Sequence, residues 1–112
     1  MSRIVYVNGR YVPYAQAAVH VEDRGFQFAD GIYEVCEVRG GHLVDEARHM
    51  ARLTRSLGEL QIAQPMRTAA LAHVMRQVIH RNHVRNGLVY LQVTRGTAPR
   101  EFYFPDASVT PT

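Results

Sequence analysis

Arg52, Arg100 and Tyr33 are the side chains whose types and neighbours best suit them to hold an anion. A guanidinium presents N–H groups to a phosphate or carboxylate in a fixed fork, which an ammonium cannot do. Arg52 lies in the run His49-Met50-Ala51-Arg52-Leu53, on a stretch of helical pattern where Arg48, Arg52 and Arg55 fall along one side of the apolar stripe and His49 and Ser56 at its opposite edge. Arg100 closes the Gly- and Pro-punctuated run Arg95-Gly96-Thr97-Ala98-Pro99-Arg100. Tyr33 sits in the β-prone segment Ile32–Val38, where alternation sends Tyr33, Val35 and Glu37 to one face and Ile32, Glu34 and Cys36 to the other. By residue type alone, each has an ordinary role: a solvated helix flank, a surface loop cation, a half-buried strand aromatic. All 13 basic residues are arginine, so chemistry that needs a lysine amine has no carrier here.

Several other chemistries find little support. His80 and His83 stand three apart without a third ligand at metal spacing, so no metal site is expected. The lone Cys36 cannot form an internal disulfide and reads as core packing; a reducing cytoplasm is the default location. Arg24-Gly25 and Asp30-Gly31 read as turns or points of close backbone approach. No Gly-rich phosphate loop or nucleophile elbow occurs. The net charge of +3 is spread among acidic neighbours, as in Glu22-Asp23-Arg24, without the basic block or aromatic ladder of a nucleic-acid binder. Apolar runs are too short to span a membrane, and Asn8-Gly9 interrupts the N-terminus too early for a signal peptide.

The elements that must position these residues follow from pattern. With 112 residues the chain is one domain. Ile4–Val7, Asn8-Gly9 and Tyr11-Val12 make a hairpin, with Pro13 at its exit. Ile32–Val38 and His42–Val44 make a second, turning on Gly40-Gly41. A helix is expected from an N-cap at Asp45, with Met50, Leu53, Leu57 and Leu60 as its buried stripe. Pro65 ends that unit. A second helix near Thr68 would bury Leu71, Val74, Met75, Val78 and Ile79. After a turn at Asn86-Gly87, Leu88–Thr94 reads as a strand inside a sheet, and Phe102–Phe104 as a possible resumption. The polar tail from Asp106 to Thr112 reads as the start of a linker. The order argues an α+β fold, two principal helices on a mainly antiparallel sheet.

Three segments together resemble the class IV pyridoxal-phosphate aminotransferases, and within them the D-amino acid transaminase branch. They are Glu22-Asp23-Arg24-Gly25-Phe26-Gln27-Phe28-Ala29-Asp30-Gly31-Ile32-Tyr33-Glu34-Val35, the His49–Leu53 run, and Gln92-Val93-Thr94-Arg95-Gly96-Thr97-Ala98-Pro99-Arg100. The resemblance covers essentially the whole chain and implies the N-terminal small domain of that fold, residues 1–105, with 106–112 opening the interdomain linker. It implies that Arg52 binds the phosphate of pyridoxal 5′-phosphate, that Tyr33 and Val35 line the substrate pocket, and that Arg100 reaches the substrate carboxylate across a homodimer interface. The substrates implied are an amino acid and a 2-oxo acid. The family keeps its catalytic lysine in a larger second domain, so these residues alone are expected to be inactive and to bind the cofactor poorly. Glu37 stands where the branch commonly has lysine, and Arg100-Glu101-Phe102 where it has Arg-x-His. The same fold serves branched-chain aminotransferases and aminodeoxychorismate lyases. A small dimerisation module, or an arginine-rich nucleic-acid-binding one, is the reading of another class.

Overall fold

The structure is a computed structural model and describes residues 3–112; Met1 and Ser2, at the start of the N-terminus read above as lacking a signal peptide, lie outside them. The fold is the α+β arrangement expected, built from antiparallel sheets and helices. β1 (Ile4–Val7) and β2 (Arg10–Pro13) pair as a hairpin. Asn8 and Gly9 both take positive φ, 47° and 88°, as a primed two-residue turn demands. A single 3-10 turn, Tyr14–Gln16, follows Pro13.

β3 (Gly31–Arg39) is the centre of a three-stranded antiparallel sheet, flanked by β4 (His42–Leu43) and β5 (Gly87–Thr94). β5 is therefore an edge strand of this sheet, not an internal one. Its apolar sequence divides between the faces: Val89 and Val93 are buried, whereas Leu88 and Tyr90 are exposed. The helices α2 (Glu46–Leu60) and α3 (Thr68–Arg81) supply most of the core on the side where Cys36 and Val38 are buried.

Met50, Leu53 and Leu57 are buried on α2 as the stripe required, but Leu60 is exposed because the helix ends at the left-handed Gln61. α3 buries Leu71, Ala72, Met75 and Ile79. Val74 and Val78 are only half-buried, since the helix turns the small Ala72 inward and leaves them at its flank. The end of α3 is tied to the hairpin by Asn82, whose side chain accepts from the Ile4 N–H and donates to the Ile4 carbonyl, both at 2.9 Å.

Other local expectations are corrected. Asp45 precedes α2, but its φ of 56° leaves its side chain without a capping bond; only its carbonyl joins the helix, accepting from the His49 N–H. The short connection from β4 needs a left-handed residue, and Asp tolerates that conformation better than most. Arg24 and Gly25 lie in no isolated turn but in a short helix, α1 (Arg24–Phe28), started by Asp23, which accepts from the Gly25 N–H at 2.8 Å; the close backbone approach expected at Gly25 and Gly31 is observed, with a Cβ falling 2.2 Å from Thr94 Cγ2 and 2.7 Å from the Val93 carbonyl oxygen respectively. Phe102–Phe104 form no strand, because the Glu101 carbonyl is drawn to the Arg24 side chain and not to a ladder. Beyond them the tail has no regular element, yet it returns to the sheet at Thr94. No helix is long and apolar enough to cross a membrane among the described residues.

Candidate anion-binding and substrate site

The first cluster forms where β3 meets α2. Alternation along β3 puts Glu34 beside Cys36 on the helix-facing side, where a bare carboxylate would be costly. Glu34 is 3% exposed and fully partnered. Arg52 donates to it through Nε at 2.7 Å and Nη2 at 2.8 Å, and His49 Nδ1 lies 2.7 Å from Oε1. These contacts hold the Glu34 carboxyl below its ordinary range, the Arg52 hydrogen bonds contributing most, against burial that pushes it up. The same bonds push the Arg52 guanidinium upward, so it is always charged. Arg52 remains 65% exposed, so the cation is anchored from beneath with its remaining N–H groups directed to solvent. Arg48, His49, Arg52 and Asp45 line a depression of about 280 Å³ there. His49, which helical spacing set at the opposite edge of the stripe from Arg52, instead converges with it on Glu34.

The second cluster is the opposite face of the sheet. Tyr33 is 64% exposed and stacks on Tyr90 with ring centroids 5.7 Å apart. Val35 lies opposite Tyr90 and Glu37 opposite Leu88 in the β3–β5 register. Tyr33, Val35, Leu88 and Tyr90 thus form an open, partly apolar wall. Glu37 pairs with Arg39 on its own strand, which partly neutralises that end of the wall.

The third cluster closes the other end of that wall. α1 sits over the Gly31–Thr94 pair so closely that a Cβ on Gly25 would lie 2.2 Å from Thr94 Cγ2. Asp30 Oδ2 accepts from the Nε atoms of both Arg24 and Arg95, each at 2.8 Å. Burial pushes the Asp30 carboxyl up, but the hydrogen bonds from Arg95 and Arg24 outweigh it and leave the group below its ordinary value. Arg95 also donates to the Leu60 and Gln61 carbonyls, satisfying the end of α2. On the outer side of α1, the Arg100 guanidinium lies over the Phe28 ring at 4.9 Å and the Phe102 ring at 5.2 Å.

The expected site residues therefore fall in three places. Tyr33 and Val35 share the open wall, Arg100 stands beside the helix that closes one end of it, and Arg52 reaches in from the helix layer through Glu34. Glu34, His49, Asp30, Arg24 and Arg95 were given no binding role from the sequence, Arg24 and Asp30 being read only as turn or close-approach positions. One signal pointed to Glu34: a charged residue alternating with Cys36 on a core-facing side must find a partner. Arg24 lies six residues before Asp30, but Arg95 lies 65 residues after it, and nothing local announces that the two arginines meet on one carboxylate.

Residues 31–112 match the family model of the class IV amino-transferases. The chain is 38% identical over 107 residues to the D-alanine aminotransferase of Staphylococcus haemolyticus, covering 96% of this chain and 38% of that protein. It is 41% identical over 107 residues to the D-alanine aminotransferase of Bacillus licheniformis, with the same coverage of 96% and 38%. It spans, in other words, well under half the length of these relatives. Among solved structures, the branched-chain amino acid aminotransferase of Escherichia coli superposes with a TM-score of 0.89 at 19% identity, over 99% of this chain and 38% of that one. The 4-amino-4-deoxychorismate lyase of Pseudomonas aeruginosa superposes with a TM-score of 0.72 at 30% identity, over 99% of this chain and 37% of that one.

Proposed function

This chain belongs to the class IV aminotransferase family, and from that premise we propose that it is the small domain of a pyridoxal-phosphate-dependent D-amino acid aminotransferase. The whole protein moves an amino group between a D-amino acid, D-alanine first among them, and a 2-oxo acid, and works as a homodimer in the cytoplasm. The observation that carries this reading is Arg52, a solvent-facing guanidinium held from beneath by a buried carboxylate. That arrangement suits a phosphate group, because the cation is fixed before the anion arrives and loses little freedom on binding. Arg48 and His49 add donors to the same depression. When bound, pyridoxal phosphate supplies the electron sink that makes a proton on the amino acid's α-carbon removable.

The residues of this chain bind and orient. Tyr33 and Val35 offer the substrate a wall with one hydroxyl and an aliphatic patch. Arg100, its guanidinium within 4.9 Å of the Phe28 ring centroid and 5.2 Å of the Phe102 one, is the cation offered to a carboxylate of a substrate bound in the partner subunit. No lysine is present to move the α-proton, so that step belongs to a further domain and these 112 residues alone are inactive. Phe102, 82% exposed where the branch has a histidine donor, favours a second reading in which the substrate is larger and more apolar, as for a branched-chain aminotransferase.

The test uses the longer protein that carries these residues, loaded with cofactor and assayed with D-alanine, L-leucine and aminodeoxychorismate. Transamination of D-alanine is expected, with Arg100→Ala raising KM for the carboxylate substrate by roughly 10- to 150-fold, the worth of a hydrogen bond to a charged group. Arg52→Lys should weaken cofactor retention on dialysis with KM little changed. Activity with L-leucine alone would move the assignment to the branched-chain enzymes. Loss of neither cofactor nor affinity in the two variants would sink the proposed roles.

A further inference from the structure

Residues 99–105 carry Arg100 and hold little of their own structure. Pro99 and Pro105 bound them and have no N–H to donate. All but Pro105 are exposed, and none joins a helix or strand. No backbone–backbone hydrogen bond involves them among the described residues. The hydrogen bond that does reach them comes from the Arg24 side chain, whose Nη1 donates to the Glu101 carbonyl at 2.9 Å. A cation that awaits a substrate carboxylate loses affinity if it must be ordered on binding. What fixes Arg100 beforehand must come from outside its own segment.

Arg24 is placed to do this. It is 3% exposed, and its Nε donates at 2.8 Å to Asp30 Oδ2, which the Arg95 Nε also holds at 2.8 Å. Its guanidinium lies over the Phe28 ring at 4.7 Å, and the Arg100 guanidinium lies over the same ring at 4.9 Å. Phe104, near the far end of the segment, has Arg24 over its ring at 5.7 Å and Arg95 at 4.0 Å. One buried cation thus reaches Arg100 by two routes, the carbonyl of the residue that follows it and the ring they share. A planar guanidinium bonds along its edges and still offers a face to a ring, which a point-charge ammonium cannot. We propose that Arg24 is a positioning residue for Arg100: it sets where that cation stands, and so how tightly a substrate carboxylate is held, without touching the substrate itself. That role rests on the reading of Arg100 as the carboxylate-binding cation. A role confined to the ion pair with Asp30 explains less. Arg95 keeps that carboxylate partnered without Arg24, whereas nothing else bonds the Glu101 carbonyl among the described residues.

A double-mutant cycle decides the matter, made in the longer protein that carries these residues and read as KM and kcat for D-alanine. Arg24→Gln is expected to raise KM by at least ~5-fold, with kcat and cofactor retention on dialysis little changed. It is expected to add nothing to the rise in KM that Arg100→Ala produces, because the cation it positions is then gone. Phe28→Leu removes the shared ring and leaves Asp30 and both arginines in place. It is expected to act in the same direction and to lose its effect in the same background, and it decides the question if Arg24→Gln does not fold. An unchanged KM beside a raised one in Arg100→Ala would overturn the positioning role and leave the functional reading intact. The same rise in KM with and without Arg100 would overturn it too, since Arg24 would then act by another route. A fall in kcat or a loss of cofactor with KM unmoved would mark a purely structural residue and overturn it likewise. An Arg100→Ala variant with unchanged KM would overturn the reading of Arg100, and the role of Arg24 with it.

Discussion

Glu34 is the residue on which the candidate cofactor contact turns. Its carboxyl is held below the ordinary value of 4.5 chiefly by Arg52, with burial opposing and His49 assisting. A group whose folded pKa is depressed stabilises the fold fully above its unfolded value, and that contribution is lost as pH falls through the folded value. Asp30 behaves in the same sense, its ordinary value of 3.8 being lowered on balance by Arg95 and Arg24. The chain is therefore expected to lose stability steadily as pH falls below the ordinary carboxylate values. Urea unfolding at a series of pH values measures this, and Glu34→Gln and Asp30→Asn should each flatten the acid slope. A slope unchanged in both variants would mean that neither carboxylate is held as described.

At the scale of elements, two glycines make opposite predictions. Gly58 lies inside α2 with nothing within 4 Å of where a Cβ would stand, so only its backbone freedom matters. Gly58→Ala should stabilise the chain by roughly 0.5–1 kcal/mol. Gly31 opens β3 where a Cβ would lie 2.7 Å from the Val93 carbonyl oxygen, a backbone atom with no rotamer to move. Gly31→Ala should cost on the order of 1–3 kcal/mol by overpacking. Chemical denaturation of both variants checks the pair, and equal shifts of the same sign would refute the contact geometry. Elements were legible in the sequence wherever their signal was local. The β1–β2 hairpin announced itself through Asn8-Gly9, and α2 through Met50, Leu53 and Leu57. What escaped was decided by distant partners. α1 is five residues long, too short for any periodicity. Phe102–Phe104 looked β-prone, but Arg24, far back in the chain, takes the adjacent Glu101 carbonyl. The candidate site divides in the same way. Arg52, Tyr33 and Arg100 stood out by type and motif, whereas Glu34 and Asp30 acquire meaning only once the fold brings arginines to them.

The whole molecule is a slab of 44 × 31 × 19 Å, with helices on one side of the central sheet and an open face on the other. Its radius of gyration is 14.5 Å, against roughly 13 Å for a compact domain of this size, in keeping with the flattened shape. Stability then rests on a single core that includes Cys36, Val38, Met50, Leu53 and Leu57. Cys36 reports on that core directly. It is wholly buried, and burial, with Glu34 and Glu46 nearby, pushes its thiol up to about 11. A thiol reagent therefore gains it only when the core opens, and labelling at neutral pH should be slow. Leu57 is 1% exposed, and Leu57→Ala should cost about 2–5 kcal/mol through the cavity it leaves. When opening is a rapid pre-equilibrium, that loss multiplies the labelling rate of Cys36 by at least ~30-fold, at roughly tenfold per 1.4 kcal/mol. Substitution of the exposed Leu88 by alanine should leave the rate nearly unchanged, because that side chain lies on the open face. Equal acceleration by both variants would mean that the two faces share one core, and fast labelling of the unsubstituted chain would mean that Cys36 is reached without opening it.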